Sequence, residues 1–162
     1  LFKCRKWLCF SKLWGKISDR KNFANHFTKF FKAAKSRNES FDKLETEVFY
    51  AQLELFIQAI RLKNPTVEVL VTTPPPSLFN RKNPNTFVRD YSKSIIEFAE
   101  KNNYAVWNMF KNLGGLYSVN KNANKGLMSK DKVHYSKQGY ELQGDLFFNA
   151  LLETYNNLKS EK

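Results

Sequence analysis

Long apolar runs are missing from this chain. Its 162 residues contain nothing close to the ~20 consecutive apolar residues of a membrane-spanning helix. The amino-terminal segment also lacks the apolar stretch and small-residue cleavage site of a secretory signal. Cysteine is scarce: Cys4 and Cys9 are the two present. A C-x4-C pair without neighbouring histidines or further cysteines does not make a zinc site, and one pair does not define a disulfide framework. Cysteine usage therefore leaves the compartment open, and no cofactor or metal is expected. Histidine is equally rare, with two in the chain. Internal repeats and low-complexity linkers are absent. Methionine is absent from position 1, and the expectation is a processed or incomplete product.

What is present is a folding composition. Hydrophobic residues make up 42% and aromatics 15%, which excludes a disordered polymer and allows one domain with a sizeable core. The formal net charge is +12, and it is unevenly spread. Residues 1–35 hold ten Lys/Arg and one acid, Asp19, so +9 of the charge lies in the first fifth of the chain. The remainder is a nearly balanced surface.

In that first fifth, Phe23, Phe27, Phe30, Phe31 and Ala34 recur at helical spacing, with lysines opposite. Several readings stay open for it: a helix packed on the domain, a sequence that does not fold, or a basic binding module. A basic aromatic helix can lie on an anionic membrane or on nucleic acid. Membrane contact by residues 1–36 is retained as an expectation; a nucleic-acid partner is not expected.

Next, Leu44, Val48, Leu55 and Leu62 fall near one helical face, joined by Phe49, Leu53, Phe56 and Ile60, and Pro65 stops that helix. TVEVLVTTPPP reads as a buried strand running into a loop. Asn83-Pro84-Asn85 reads as a turn. Val88, Tyr91, Ile95 and Phe98 mark an amphipathic helix from Thr86 to Asn102. Tyr104 to Trp107 is a short strand, followed by a loop through Gly114-Gly115 to about Lys132. Ser136 caps a final helix that buries Tyr140, Phe147, Leu151, Tyr155 and Leu158. Alternation of helix and strand implies α/β, a parallel sheet with helices on its faces. Chemistry in such sheets gathers in loops beyond the carboxyl ends of strands. The TTPPP loop is one such end. The loop after Trp107, which leads to Asp131 and His134, is another.

Asp131 and His134 sit in DKVHYSKQGY, residues 131–140. A general base near neutral pH is most simply a histidine. It works best when an acceptor holds its other ring nitrogen and so selects one tautomer. An aspartate three residues earlier in a tight turn can reach that nitrogen, and Gly139 permits close backbone packing behind it. Taken alone, the four-residue pattern reads better as a surface turn with a solvated histidine.

The longer pattern resembles the last block of the SGNH, or GDSL-type, ester hydrolases: D-x-V-H, a Ser two residues on, and G-Y opening the last helix. KNPTVEVLVTTPPPS is similar to that family's strand and proline-rich loop, and YAVWNMF to its following strand, with Asn108 where the family often has Asp. The resemblance covers residues 38–158. It implies a three-layer, flavodoxin-like parallel sheet flanked by helices. By that resemblance His134 is the catalytic base and Asp131 the carboxylate that orients it. S-R-N-E-S at 36–40 is similar to the family's third block, which makes Asn38 the side-chain donor to the oxyanion, a contact worth about 3 kcal/mol of barrier in comparable sites. On its residues alone Asn38 is equally a capping or turn residue. Ser36 stands where the family has glycine.

One block is missing. The family's nucleophile is the serine of G-D-S after the first strand, and no G-D-S occurs in this chain. The expectation is therefore a boundary near residue 36, with residues 1–36 a segment of separate origin and 37–162 the carboxyl-terminal part of the hydrolase-like domain. A shifted reading frame or a recombined piece would produce such a boundary. The resemblance implies hydrolysis of a small ester or an O-acetylated glycan, and a cell-envelope or secreted location, with turnover weak or absent without the serine. A noncatalytic relative stays open beside it. Tyr135 and the TTPPPS loop either line the cleft mouth or simply pack. A parallel sheet short of strands also exposes edges and apolar faces, so marginal solubility is expected.

Overall fold

The computed structural model describes residues 45–160, apart from the side chains of Leu158 and Lys159. Expectations for residues 1–44, including the basic aromatic helix, Leu44 and Asn38, lie outside the described residues.

Helix α1, Thr46–Lys63, begins after an extended Glu45 and ends at Asn64, where Pro65 cannot continue it. Its apolar residues run most of the way round the helix, so spacing alone does not select the buried face. Phe49 and Ile57 are buried, with Tyr50 and Leu53 packed beside them. Val48, Leu55 and Leu62 are 45%, 66% and 85% exposed. The expected stripe through Val48, Leu55 and Leu62 is thus corrected to one through Phe49, Leu53 and Ile57, which are four residues apart.

Strand β1, Leu70–Thr72, pairs in parallel with β4, Ala105–Trp107, in the register Leu70 to Ala105, Val71 to Val106 and Thr72 to Trp107. Strand β1 is shorter than the apolar run predicts, and its ladder stops at Thr73, because Pro74 to Pro76 have no N–H groups to extend it. Between them lies a hairpin, β2 (Leu78–Phe79) against β3 (Asn83–Pro84). Asn80 and Arg81 close it with φ of 51° and 62°. The turn thus falls at residues 80–82. Asn83-Pro84 is paired strand, which a proline permits on a short edge strand.

Asn85 caps helix α2, Thr86–Lys101, by accepting the Val88 N–H. As expected, α2 buries Val88, Tyr91, Ile95 and Phe98. After β4, the segment expected as loop forms two short helices, α3 (Met109–Asn112) and α4 (Val119–Asn124). Gly114 and Gly115, at φ 98° and 74°, make the turn between them. Helix α5, Lys137–Ser160, completes the described chain. It buries Phe147 and Leu151, but Tyr140 is 46% exposed, which corrects its place in the expected core. Tyr155 is half-buried.

The strand residues divide between two clusters. Leu70 and Trp107 pack with Phe147, Leu151 and other residues of α5, and the Trp107 and Phe147 rings meet edge-on at 5.5 Å. Val69, Val71 and Val106 pack instead with Ile57 of α1 and with Phe98 and Ala99 of α2. The described chain is thus α/β, with a small parallel sheet whose carboxyl ends lead into the segments 73–85 and 108–136. Among the described residues, no helix is long and apolar enough to cross a membrane.

Candidate active site

The ends of β1 and β4 are tied together by polar groups. Thr73, 1% exposed, accepts the Phe110 N–H at 3.0 Å and donates to Asn108 Oδ1 at 3.4 Å. Asn108 Oδ1 also accepts the Lys111 N–H and so caps α3. An acceptor oxygen is all these contacts require, so an amide serves here as well as a carboxylate.

From this base the chain runs through α4 to a closed turn at residues 129–135. The Ser129 N–H donates to the His134 carbonyl at 2.8 Å, and the Lys132 N–H donates to the Ser129 carbonyl at 3.0 Å. The Ser129 hydroxyl donates to the Tyr135 carbonyl at 3.2 Å. Lys132 takes φ 53° to complete the turn, and its carbonyl accepts the N–H of Leu78, the first residue of β2. Tyr135 is 3% exposed, and its hydroxyl donates to the Pro76 carbonyl at 3.3 Å. Tyr135 therefore packs in the core and joins the histidine turn to the loop after β1, rather than lining a cleft mouth. Burial pushes its phenol up to about 12.

The turn then enters α5. Ser136 caps that helix, accepting the Gly139 N–H at 3.1 Å and donating to the Gly126 carbonyl at 2.7 Å. Gly139 lies against the backbone of Leu127, and a Cβ there would stand 2.0 Å from the Leu127 carbonyl oxygen. The close packing expected of this glycine is present.

Within this frame Asp131 and His134 meet. Asp131 Oδ1 accepts the N–H groups of Val133 and His134, both at 2.9 Å. Oδ2 lies 2.5 Å from His134 Nδ1. The His134 N–H, then the His134 ring, then the Val133 N–H hold the Asp131 carboxyl well below the usual carboxylate range. An ionised carboxylate only accepts hydrogen bonds, so Nδ1 carries the proton shared with Oδ2. In neutral imidazole that leaves Nε2 with its lone pair. The His134 side chain is 50% exposed and that of Asp131 27%. No described hydroxyl hydrogen-bonds to His134 Nε2.

Two of the three expected site residues are thus brought together, and Asn38 lies outside the described residues. The supporting role of Ser129 is not visible in the sequence, because its contacts are mostly with backbone carbonyls. Among the described residues, no group of three or more His, Cys, Asp or Glu is placed to hold a metal.

No protein-family model and no curated protein sequence matches the chain. Solved structures do. A peptidoglycan O-acetylesterase is similar to it with a TM-score of 0.68 and 21% identity, over 75% of this chain and 36% of that one. A lipase/acylhydrolase from Enterococcus faecalis gives 0.54 and 24%, over 71% and 56%. The esterase domain of the ORF1 protein of a zebrafish retrotransposon gives 0.52 and 18%, over 68% and 61%. This chain therefore spans about a third of the first structure's length and under two thirds of the others'. At these identities the likeness is one of fold alone, an α/β fold shared with esterase and lipase/acylhydrolase structures.

Proposed function

We propose that this chain belongs to an ester hydrolase of the SGNH/GDSL type, with His134 as general base and Asp131 as its orienting carboxylate. The observation that carries this reading is the Asp131–His134 hydrogen bond, in a turn braced by both neighbouring loops. It fixes the tautomer an acyl-transfer base needs. His134 Nε2 would take the proton of an attacking hydroxyl. It would return that proton to the leaving alcohol, then activate water against the acyl intermediate. Asn38 is proposed as a donor to the oxyanion of the tetrahedral intermediates. The nucleophile is sought outside residues 45–160, because no described hydroxyl contacts Nε2.

The substrate proposed is a small ester or an O-acetylated carbohydrate, in line with the peptidoglycan O-acetylesterase among the similar structures. A boundary near residue 36, the flavodoxin-like three-layer sheet and a cell-envelope setting belong to the same reading. The two-stranded sheet with α1 and α2 packed against Val71, and α5 against Leu70, is consistent with that architecture.

The test is release of acetate from an O-acetylated glycan by the full chain and by His134→Ala. Slow turnover that falls at least ~100-fold in the variant is expected. Turnover that survives the substitution, or none above the buffer rate, overturns the proposal.

A further inference from the structure

Charge is segregated around the dyad. The two segments at the carboxyl ends of β1 and β4 carry seven cations and one acid. Arg81 and Lys82 lie in the first; Lys111, Lys121, Lys125, Lys130 and Lys132 lie in the second. The single acid is Asp131, whose charge is already engaged by His134 and two backbone N–H groups. The rest of residues 45–160 holds seven cations and ten acids. The overall positive balance of the described chain thus comes from the loops beside the dyad. None of these seven cations has an ion-pair partner among the described residues. Lys132 Nζ donates to neutral Asn120.

The fold brings the hairpin and the histidine turn, and so part of this set, close together. Lys130 and Lys132 flank Asp131. The Lys132 carbonyl holds the first residue of β2, which sets the tip of the hairpin, with Arg81 and Lys82, only a few residues from the turn. An uncompensated patch of one sign raises the local concentration of opposite charge and costs self-repulsion when empty.

We infer that the ester cleaved at this site is carried on an anionic glycan, whose acidic groups are met by Arg81, Lys82 and Lys130 beside the dyad. This rests on the hydrolase reading for the chemistry, but the binding claim stands apart from it. Anionic groups on the sugar would orient the ester carbonyl toward His134 by charge contacts on two sides of the turn.

The experiment measures binding of the full chain to unacetylated polygalacturonate and to neutral xylan at two salt concentrations, so that no turnover is needed. Polygalacturonate is expected to bind at least tenfold more tightly than xylan, and to weaken as salt rises. Arg81→Glu/Lys82→Glu/Lys130→Glu is expected to lose roughly tenfold of that affinity, while His134→Ala keeps it. A control variant with Lys3, Lys6 and Lys12 changed to Glu separates the basic amino-terminal segment. Loss in the control and not in the loop variant overturns the inference, as does equal binding of the two glycans. Single-stranded RNA that binds more tightly than polygalacturonate and fails on the same loop variant would make this a nucleic-acid surface instead. If His134→Ala leaves hydrolysis unchanged, the hydrolase reading fails, and the binding result is read separately.

Discussion

Replacing Gly139 with alanine sets a methyl group against the backbone. The new Cβ would stand 2.0 Å from the Leu127 carbonyl oxygen, 3.0 Å from its carbonyl carbon and 2.9 Å from Tyr135 Cδ1. Ordinary contact begins near 3.4 Å, so the helix and the Leu127 backbone must separate by about 1.4 Å on the worst axis. That separation strains the Ser136 N–H bond to Leu127 at 3.0 Å and the cap from Ser136 Oγ to the Gly139 N–H. Overpacking of this kind costs about 1–3 kcal/mol, and a weakened cap adds up to ~1 kcal/mol. Helix propensity returns about 1 kcal/mol for Gly→Ala. The net expectation is a loss of about 2 kcal/mol. Gly144, in the same helix, has nothing within 4 Å of its ideal Cβ. Gly144→Ala should therefore gain the propensity of about 1 kcal/mol unopposed. Urea unfolding followed by circular dichroism compares the two at constant slope. A Gly139→Ala protein as stable as the parent would refute the packing described at the histidine turn.

Three further outcomes follow from the same contacts. Asp131→Asn removes the carboxylate that sets the His134 tautomer, and acetate release should fall by about 100- to 10,000-fold. The carboxyl titrates below its unfolded value, so its stabilisation is present above about pH 4 and is lost as pH falls further. The stability difference between parent and Asp131→Asn should therefore shrink in acid unfolding series, and a difference that widens below pH 4 would contradict the geometry. Burial raises the Tyr135 phenol to about 12, above the ordinary tyrosine value of about 10, so its burial favours folding below about pH 10 and loses that effect as pH rises toward 12. Tyr135→Phe should flatten this alkaline loss and cost about 1 kcal/mol at neutral pH for the bond to Pro76, measured by unfolding at both pH values. Asn85→Ala removes the cap of α2 at a site 0% exposed, and should cost about 2 kcal/mol in the same assay.

The sequence carried the elements with one strong pattern. The Val88, Tyr91, Ile95 and Phe98 spacing gave α2, and Ser136 with Gly139 gave the start of α5. α1 was legible as a helix, but its buried face was not, because apolar side chains nearly encircle it. The hairpin at 78–84 was hidden by Pro84, which reads as a turn residue until a partner strand is placed beside it. Helices α3 and α4 are too short for any period to show. Asp131 and His134 were visible as a spacing. Their hydrogen bond depends on contacts from residues as distant as Pro76, which no local pattern contains.

The most direct test of the Asp131–His134 site is covalent trapping of the nucleophile. The full chain and His134→Ala are treated with a fluorophosphonate, and adducts are mapped by mass spectrometry. A single labelled hydroxyl, modified at least ~100-fold more slowly without His134, is the predicted result. No adduct, or one formed at the same rate in both proteins, would contradict the assignment of His134 as the base of an ester hydrolase.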